Sequence, residues 1–589
     1  MKKIIFLFFL TISSISYSQS DYLLGESYYR EGEYEKATQI FKKLYNKSPF
    51  NTTYLSRLIS CYQETEKFLE AENLLKSKIK RNAHQGYLYV YLGYNYERQQ
   101  QKELAKTNYD IALNSIDKNA SYGGIIGRVF KDYNLLDNAI LAYKKTMAKN
   151  ENANYSFQIA QIYGEKGDFK KMFESYIDLV DKNINYYNLV QRYTSRYITD
   201  DAENEANVLF RKTLLRKSAS NPKDVWNVLL SWLFTQQKDY LKAFIQEKAL
   251  YQRNPEELAA IFSLGKIAFE NAAYDAAQQV FDFITNNSFL NEEKIDANLY
   301  LSKIAVATNN PETEALFQTL FKEFGKNTLT IKLQVEYADF LTFQKNQPEK
   351  AKQVLEEALR FSRSKFDKAR IKLKLGDILV FTGKYNKALI YFSQIQTQLK
   401  GDELAQKARF KVAQTSYFKG DFTWAKAQLK VLKGSTTQLI ANDAVELFLI
   451  ITDNEPVDSI PSGLIQYSKA ELLAFQNKTQ EAIDTLNIIH QKFKGQPIED
   501  EALFKQAKLY IKQKEFTKAI ANFQKVIALN SEGILIDDAH YELAELYNNH
   551  LNNPEKASEY YQKIIFDYPS SIYLVEARKK YRKIRGDTI

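Results

Sequence analysis

Cysteine is almost absent. The 589 residues hold one, Cys61, so no intramolecular disulfide can form and no cysteine stands near the N-terminus to carry a lipid. Set in an apolar helical stretch beside Tyr62, Cys61 reads as a small buried hydrophobe. Histidine is nearly as scarce, with four residues at 84, 490, 540 and 550, none in an HExxH arrangement. His540 and His550, flanked by Asp537 and Glu542, are ten residues apart, too far along one helix to share an ion. Ten prolines and 20 glycines are few for this length and suit a nearly all-helical chain. Beyond the N-terminus no apolar run approaches the roughly 18 residues of a membrane-spanning helix. Positive charge is thin as well: a formal net +10, dispersed, forms no compact stripe for nucleic acid. Gly123-Gly124-x-x-Gly127 has no strand before it and no Lys-Ser/Thr after it, so helix packing accounts for it better than a phosphate loop. No serine sits in a strand-turn-helix elbow. These absences point away from an enzyme, a metal and a cofactor.

What is present is a period. Ala37, Ala71, Ala105 and Ala139 lie 34 residues apart. Each belongs to a run of small and aromatic residues that is clearest in the first unit: Leu24-Gly25-x-x-Tyr28, Gly32-x-Tyr34-x-x-Ala37, then Phe41 and Pro49. Steps of 34 lead to Gly93 with Tyr96 and Tyr109, and to Gly127 with Phe130 and Tyr143; the second unit has Ile59 at the glycine place. The same anchor continues through Met172, Ala206, Ala243, Ala277, Ala315, Ala351, Ala388, Ala425, Ala482, Ala519 and Ala557, fifteen in all. Ala206, Ala243 and Ala315 rest mainly on spacing. From Ala277 most steps lengthen to 36 to 38 residues, through loops such as Asn346-Gln347-Pro348 and Asn552-Asn553-Pro554. Fixed periods of this size mean stacked supersecondary units.

The pattern resembles the tetratricopeptide repeat (TPR). The resemblance implies an all-α solenoid, a right-handed superhelix of about fifteen helix-turn-helix repeats. In that family the Gly25 place lets the two helices approach closely, and the Ala37 place receives the next helix. Ligands lie along a concave face lined by first-helix residues. Carried over, these are Tyr22, Glu26, Tyr29 and Arg30 in the first repeat, Tyr87, Val90, Tyr94, Glu97 and Arg98 in the third, and Arg128, Lys131 and Asp132 in the fourth. The family's carboxylate clamp is not reproduced, since Ser56 and Ser60 occupy its places in repeat two. At the other end, Asp567-Tyr568-Pro569-Ser570-Ser571-x-Tyr573-x-x-Glu576-Ala577 is similar to an element of periplasmic TPR adaptors, among them the BamD-type assembly lipoprotein and the cell-division coordinator CpoB.

Met1-Lys2-Lys3, an apolar stretch from Ile4 to Ile12 and Ser16-Tyr17-Ser18 have the three parts of a secretory signal peptide, cut after Ser18. The expected order is a signal peptide at 1–18, a 34-residue-period array at 19–180, degenerate helical repeats at 181–257, a middle array at 258–452, a loop or hinge at 453–463 and a C-terminal array at 464–589. The hinge rests on Pro456 and Pro461 within the long step from Ala425 to Ala482, where Ala444 to Ile451 forms an extra apolar helix. The basic run from Arg578 to Arg585 is a solvated capping helix or a contact for an anionic membrane or acidic partner.

With 41 tyrosines and 37 phenylalanines, the chain has aromatic residues to spare. On the concave face, tyrosines with interspersed arginines are the composition of binding hot spots, or they simply cover neighbouring repeats. The expected function is a protein-interaction scaffold in the bacterial cell envelope, periplasmic or at the inner face of the outer membrane. The alternative is a glycan- or peptidoglycan-associated protein using the same aromatic surface.

Overall fold

The computed structural model describes residues 21–587 except 83, 256, 435–437, 456–461 and 530–532. The signal-peptide assignment at 1–18 and most of the expected hinge at 453–463 lie outside the described residues. Among these, all regular structure is helical, in pairs from residues 21–30 and Tyr34–Lys47 through Ile536–Asn549 and Pro554–Asp567, closed by Leu574–Arg585. The chain is an α-helical solenoid of helix-turn-helix repeats.

One turn recurs. The first helix of a pair ends on a residue with positive φ, five positions ahead of the anchor: Gly32 at 79°, Glu66 at 56°, Gln100 at 63°, Asn134 at 59° and Gly383 at 74°. The next amide then reaches back five residues, Glu33 to the Tyr28 carbonyl at 2.9 Å, Lys67 to Tyr62 at 2.8 Å and Gln101 to Tyr96 at 3.0 Å. This 6→1 bond satisfies a carbonyl left open at the helix end and stops the helix at a fixed place. In several repeats the following residue caps the second helix, as Asp168 does by accepting from the Lys171 amide and Asp421 from Trp424.

The anchors then fall on the fourth residue of the second helix, and Ala37, Ala71, Ala139, Met172, Ala277, Ala388 and Ala557 are fully buried. Facing glycines leave room for the packing. A Cβ on Gly376 would lie 2.3 Å from Phe392, and one on Gly93 2.5 Å from Tyr109. Ala315 breaks the pattern. It is exposed, and the buried residue of its helix's first turn is Thr313, whose hydroxyl donates to the Ala305 carbonyl at 3.2 Å. The spacing therefore misplaces this anchor by two residues.

Packing divides the described residues into two compact units, those up to 199 with 205–229, and 200–204 with those from 230 onward. The division falls in the weakly patterned stretch. In the second unit one core cluster around Ala388 and Ala425 draws residues from Ala369 through Ile451 and from Leu464 through Leu509. The extra helix, expected at 444–451, spans Gln438–Asp453 and buries Ala444 and Ile451 in that core. Longer repeats come chiefly from longer first helices, such as Asn291–Ala307 and Lys365–Phe381, each of 17 residues against 12 in Tyr87–Arg98. The Asn346 and Asn552 loops add one residue each, so Gln347 and Asn553 reach back six positions, to Leu341 and Tyr547.

The second unit also closes on itself along its first helices. Phe475 packs on Phe343 at 5.3 Å and on Phe418 at 6.0 Å, and Phe343 on Phe381 at 5.4 Å. Gln476 donates to the Phe381 carbonyl at 2.8 Å and Asn477 to that of Phe343. Helix ends three repeats apart thus meet.

Candidate partner-binding surface

In the first unit the first helices at 21–30, Thr52–Glu64, Tyr87–Arg98, Gly123–Asp132 and Ser156–Glu165 stand in a row. Their facing charges pair across repeats: Glu26 with Arg57 at 2.5 Å, Glu64 with Arg98 at 3.2 Å and Lys131 with Glu165 at 2.8 Å. Arg57 also lies over the Tyr29 ring, 4.7 Å from its centroid. Partly exposed pairs of this kind add little stability, about 0–1 kcal/mol each. Their effect is to neutralise the surface from within.

Its centre is aromatic. Tyr94 stacks on Tyr133 with ring centroids 3.9 Å apart, and Tyr91 meets the same ring edge-on at 5.8 Å. The Tyr133 hydroxyl donates to Gln63 Oε1 at 2.8 Å, and Gln63 Nε2 donates to the Tyr91 carbonyl at 3.1 Å. Enclosure of that hydroxyl, then the neighbouring Tyr91, push the Tyr133 pKa well above the usual phenol value. Burial likewise raises the Asp132 carboxyl, opposed by the nearby Arg128, Arg57 and Lys131.

The eight residues named from sequence occupy different situations. Arg30 and Arg128 are exposed and make no salt bridge among the described residues. Tyr29 and Tyr94 are half-buried, each with one face covered, by Arg57 and Tyr133. Arg98 and Lys131 are engaged by Glu64 and Glu165. Tyr22 packs between Phe41 and Tyr54 at 6.3 and 5.9 Å. Tyr87 is 4% exposed, wedged against Tyr91 and Tyr122, and presents no ring to a ligand. Arg57, Gln63 and Tyr133 are central residues that sequence reasoning missed. For Arg57 a signal existed, since it stands 31 residues after Glu26 in the next first helix.

Few side chains have the surroundings of a metal or catalytic site. His540 packs between Tyr560 and Tyr568, at 5.8 and 5.6 Å, and His550 stacks on Phe516 at 5.0 Å. Cys61 is buried and its thiol is pushed up to about 12 by desolvation, which removes the thiolate a nucleophile needs.

Two family models match the sequence: Tetratricopeptide repeat over residues 19–51, and Tetratricopeptide repeat protein 21 ARM repeat over residues 442–564. Both support the tetratricopeptide class for the repeats they cover. No curated protein matches. Solved structures that align include a chain of the Naa15/Naa10 complex bound to HypK-THB, at 12% identity and a TM-score of 0.28 over 97% of this chain and 96% of that one. A chain of the APC/C hetero-tetramer Cut9-Hcn1 aligns at 14% and 0.24 over 98% of each, and yeast Tom70 at 14% and 0.32 over 79% of this chain and 99% of its own. At such TM-scores these likenesses carry no argument about this chain.

Proposed function

We propose that the protein is a non-enzymatic interaction scaffold of the bacterial cell envelope, holding partner proteins or peptides along its first-helix face. The observation that supports this most directly is the row of first helices in the first unit, with Arg30 and Arg128 exposed and Tyr29 and Tyr94 half-exposed, each ring held by a neighbour. A preformed aromatic surface loses little side-chain freedom on binding, which favours affinity. Export is read from the N-terminal Lys-Lys, apolar stretch and Ser-Tyr-Ser, and an envelope setting agrees with the adaptor-like element at 567–577.

The test is crosslinking of a tagged copy in living cells, with identification by mass spectrometry. The triple variant Arg30→Ala, Tyr94→Ala, Arg128→Ala is expected to lose captured envelope proteins, with helical circular dichroism unchanged and Tm within a few degrees of the parent. Tyr87 is left intact because its removal would open a core cavity. Capture unaffected by the triple variant sinks the surface assignment; recovery of cell-wall fragments in place of proteins sinks the scaffold.

A further inference from the structure

In the second unit, helices Gln438–Asp453, Leu464–Phe475, Ile498–Lys512 and Ile536–Asn549 each bring a carboxylate to one recess: Glu446, Glu471, Glu501 and Asp538. Glu471, Lys505 and Asp538 all act on the Glu446 carboxyl, and Glu471, Glu501, Glu446 and Asp500 act on the buried Tyr467 hydroxyl, so the groups are neighbours. Among the described residues one cation bonds to them. Lys505 donates to Glu471 Oε1 at 2.7 Å, while the Tyr417 hydroxyl donates to Oε2 at 3.0 Å. Asp538 accepts from the Tyr573 hydroxyl at 2.8 Å. Glu446, Asp500 and Glu501 have no salt bridge among the described residues.

A second observation points the same way. Asn454, 3% exposed, lies at the end of Gln438–Asp453 with its amide beside the Glu501 carboxyl. Its Nδ2 donates to the Ile450 carbonyl at 2.9 Å, but among the described residues neither Asn454 Oδ1 nor Glu501 Oε2 has a hydrogen-bond partner. An enclosed acceptor, Asn454 Oδ1, amid carboxylates that outnumber the cation bonded to them, calls for a group that carries several N–H bonds and positive charge.

Resting on the scaffold reading above, we infer that this recess receives a lysine or arginine side chain from a basic, extended segment of a partner protein. Charge complementarity selects the occupant: the chain as a whole is at +10 and repels a basic partner, whereas this recess attracts it. Lys505 on Glu471 shows how an ammonium sits there. Burial and mutual repulsion already hold the Glu446 and Asp538 carboxyls above their ordinary range and push Glu501 up to about 8, and an incoming cation relieves that repulsion.

The experiment is fluorescence anisotropy of the full chain with two labelled dodecapeptides, one of alternating Lys and Ser, one of alternating Glu and Ser. The basic peptide is expected to bind at least tenfold more tightly. The variant Glu446→Gln with Asp538→Asn is expected to weaken it about tenfold. A control losing the same charge from exposed positions, Glu403→Gln with Glu481→Gln, is expected to stay within about twofold. Equal losses in the two variants, or no preference for the basic peptide, overturn the inference. If Asp538→Asn disturbs folding, Glu446→Gln alone is expected to weaken binding about threefold, and no change overturns the site. Cellular capture separates the two readings: capture that persists while peptide binding fails removes the cation site and leaves the scaffold standing, whereas peptide binding without capture removes the scaffold.

Discussion

The two ends of the solenoid use one repeat plan with opposite charge economies. Along the first unit, Glu26 to Arg57, Glu64 to Arg98 and Lys131 to Glu165 cancel charge between successive first helices and leave a tyrosine floor. In the recess of the second unit, Glu446, Glu471, Asp500, Glu501 and Asp538 share Lys505. Yet Ala37 and Ala557 are equally buried, and both lie at the fourth residue of a second helix. The residues that set the fold and those that set the surface are therefore separate groups of positions. A repeat can acquire a new surface without disturbing the small residues and turns that stack it.

The largest effect is expected from attacking the stacking positions. Gly376→Val places a side chain against the buried Phe392 ring and is expected to destabilise the second unit by about 3 kcal/mol. Gly93→Val does the same against Tyr109 in the first unit. Amide hydrogen exchange is expected to show protection lost in residues 331–512 for the first variant and in 52–165 for the second. Loss throughout the chain in both cases would mean that the two packing units unfold as one.

How far the sequence foretold this follows from the same separation. Stacking is steric, so small residues at a fixed spacing announce it, and the anchors from Ala37 to Met172 fall where the period puts them. Counting residues fails where a turn changes length. After Asn309 the buried place comes one position early, Thr313 takes it, and Ala315 turns to solvent. Surface chemistry is harder, because it depends on contacts between repeats. Tyr133 lies just past the helix Gly123–Asp132, outside the family's groove places, yet it is the ring on which Tyr94 stacks. Tyr87 holds a groove place but begins its helix and is covered by Tyr122. The acidic recess was invisible because its carboxylates straddle the long step between Ala425 and Ala482, where the period is interrupted by a helix.

Titration offers a second contrast, since the enclosed histidines belong to the second unit. Burial, the leading cause, lowers the pKa of His490 and of His540. With the folded pKa below the unfolded one, the unfolded chain takes up the proton first. The neutral histidines' contribution is thus intact above the ordinary value of about 6.5 and declines as pH falls below it. The parent's second unit is expected to lose thermal stability between about pH 7 and pH 5, and His490→Gln to flatten that slope. A slope unchanged by the substitution would assign the acid sensitivity to carboxylate pairs instead.

The smallest effect probes the feature the two units share, the turn between paired helices. Gln100 in the first unit and Lys514 in the second hold φ of 63° and 61° with exposed side chains, where Gly32 and Gly383 hold 79° and 74°. A side chain in this left-handed region costs about 1–2 kcal/mol, and glycine removes that strain while adding freedom to the unfolded chain. Gln100→Gly and Lys514→Gly are each expected to stabilise their unit by about 0.5 kcal/mol, with Gly32→Ala losing a similar amount. Equal gains at 100 and 514, read by denaturant unfolding, would show the turn to be a local device indifferent to the charge of the surface beside it. Both turns make the same pair of backbone bonds, Gln100 to Glu97 with Gln101 to Tyr96, and Lys514 to Ile511 with Glu515 to Tyr510, so a gain at 100 alone would show that side chains around 514 hold its turn, and would tie turn and surface together in the second unit but not in the first.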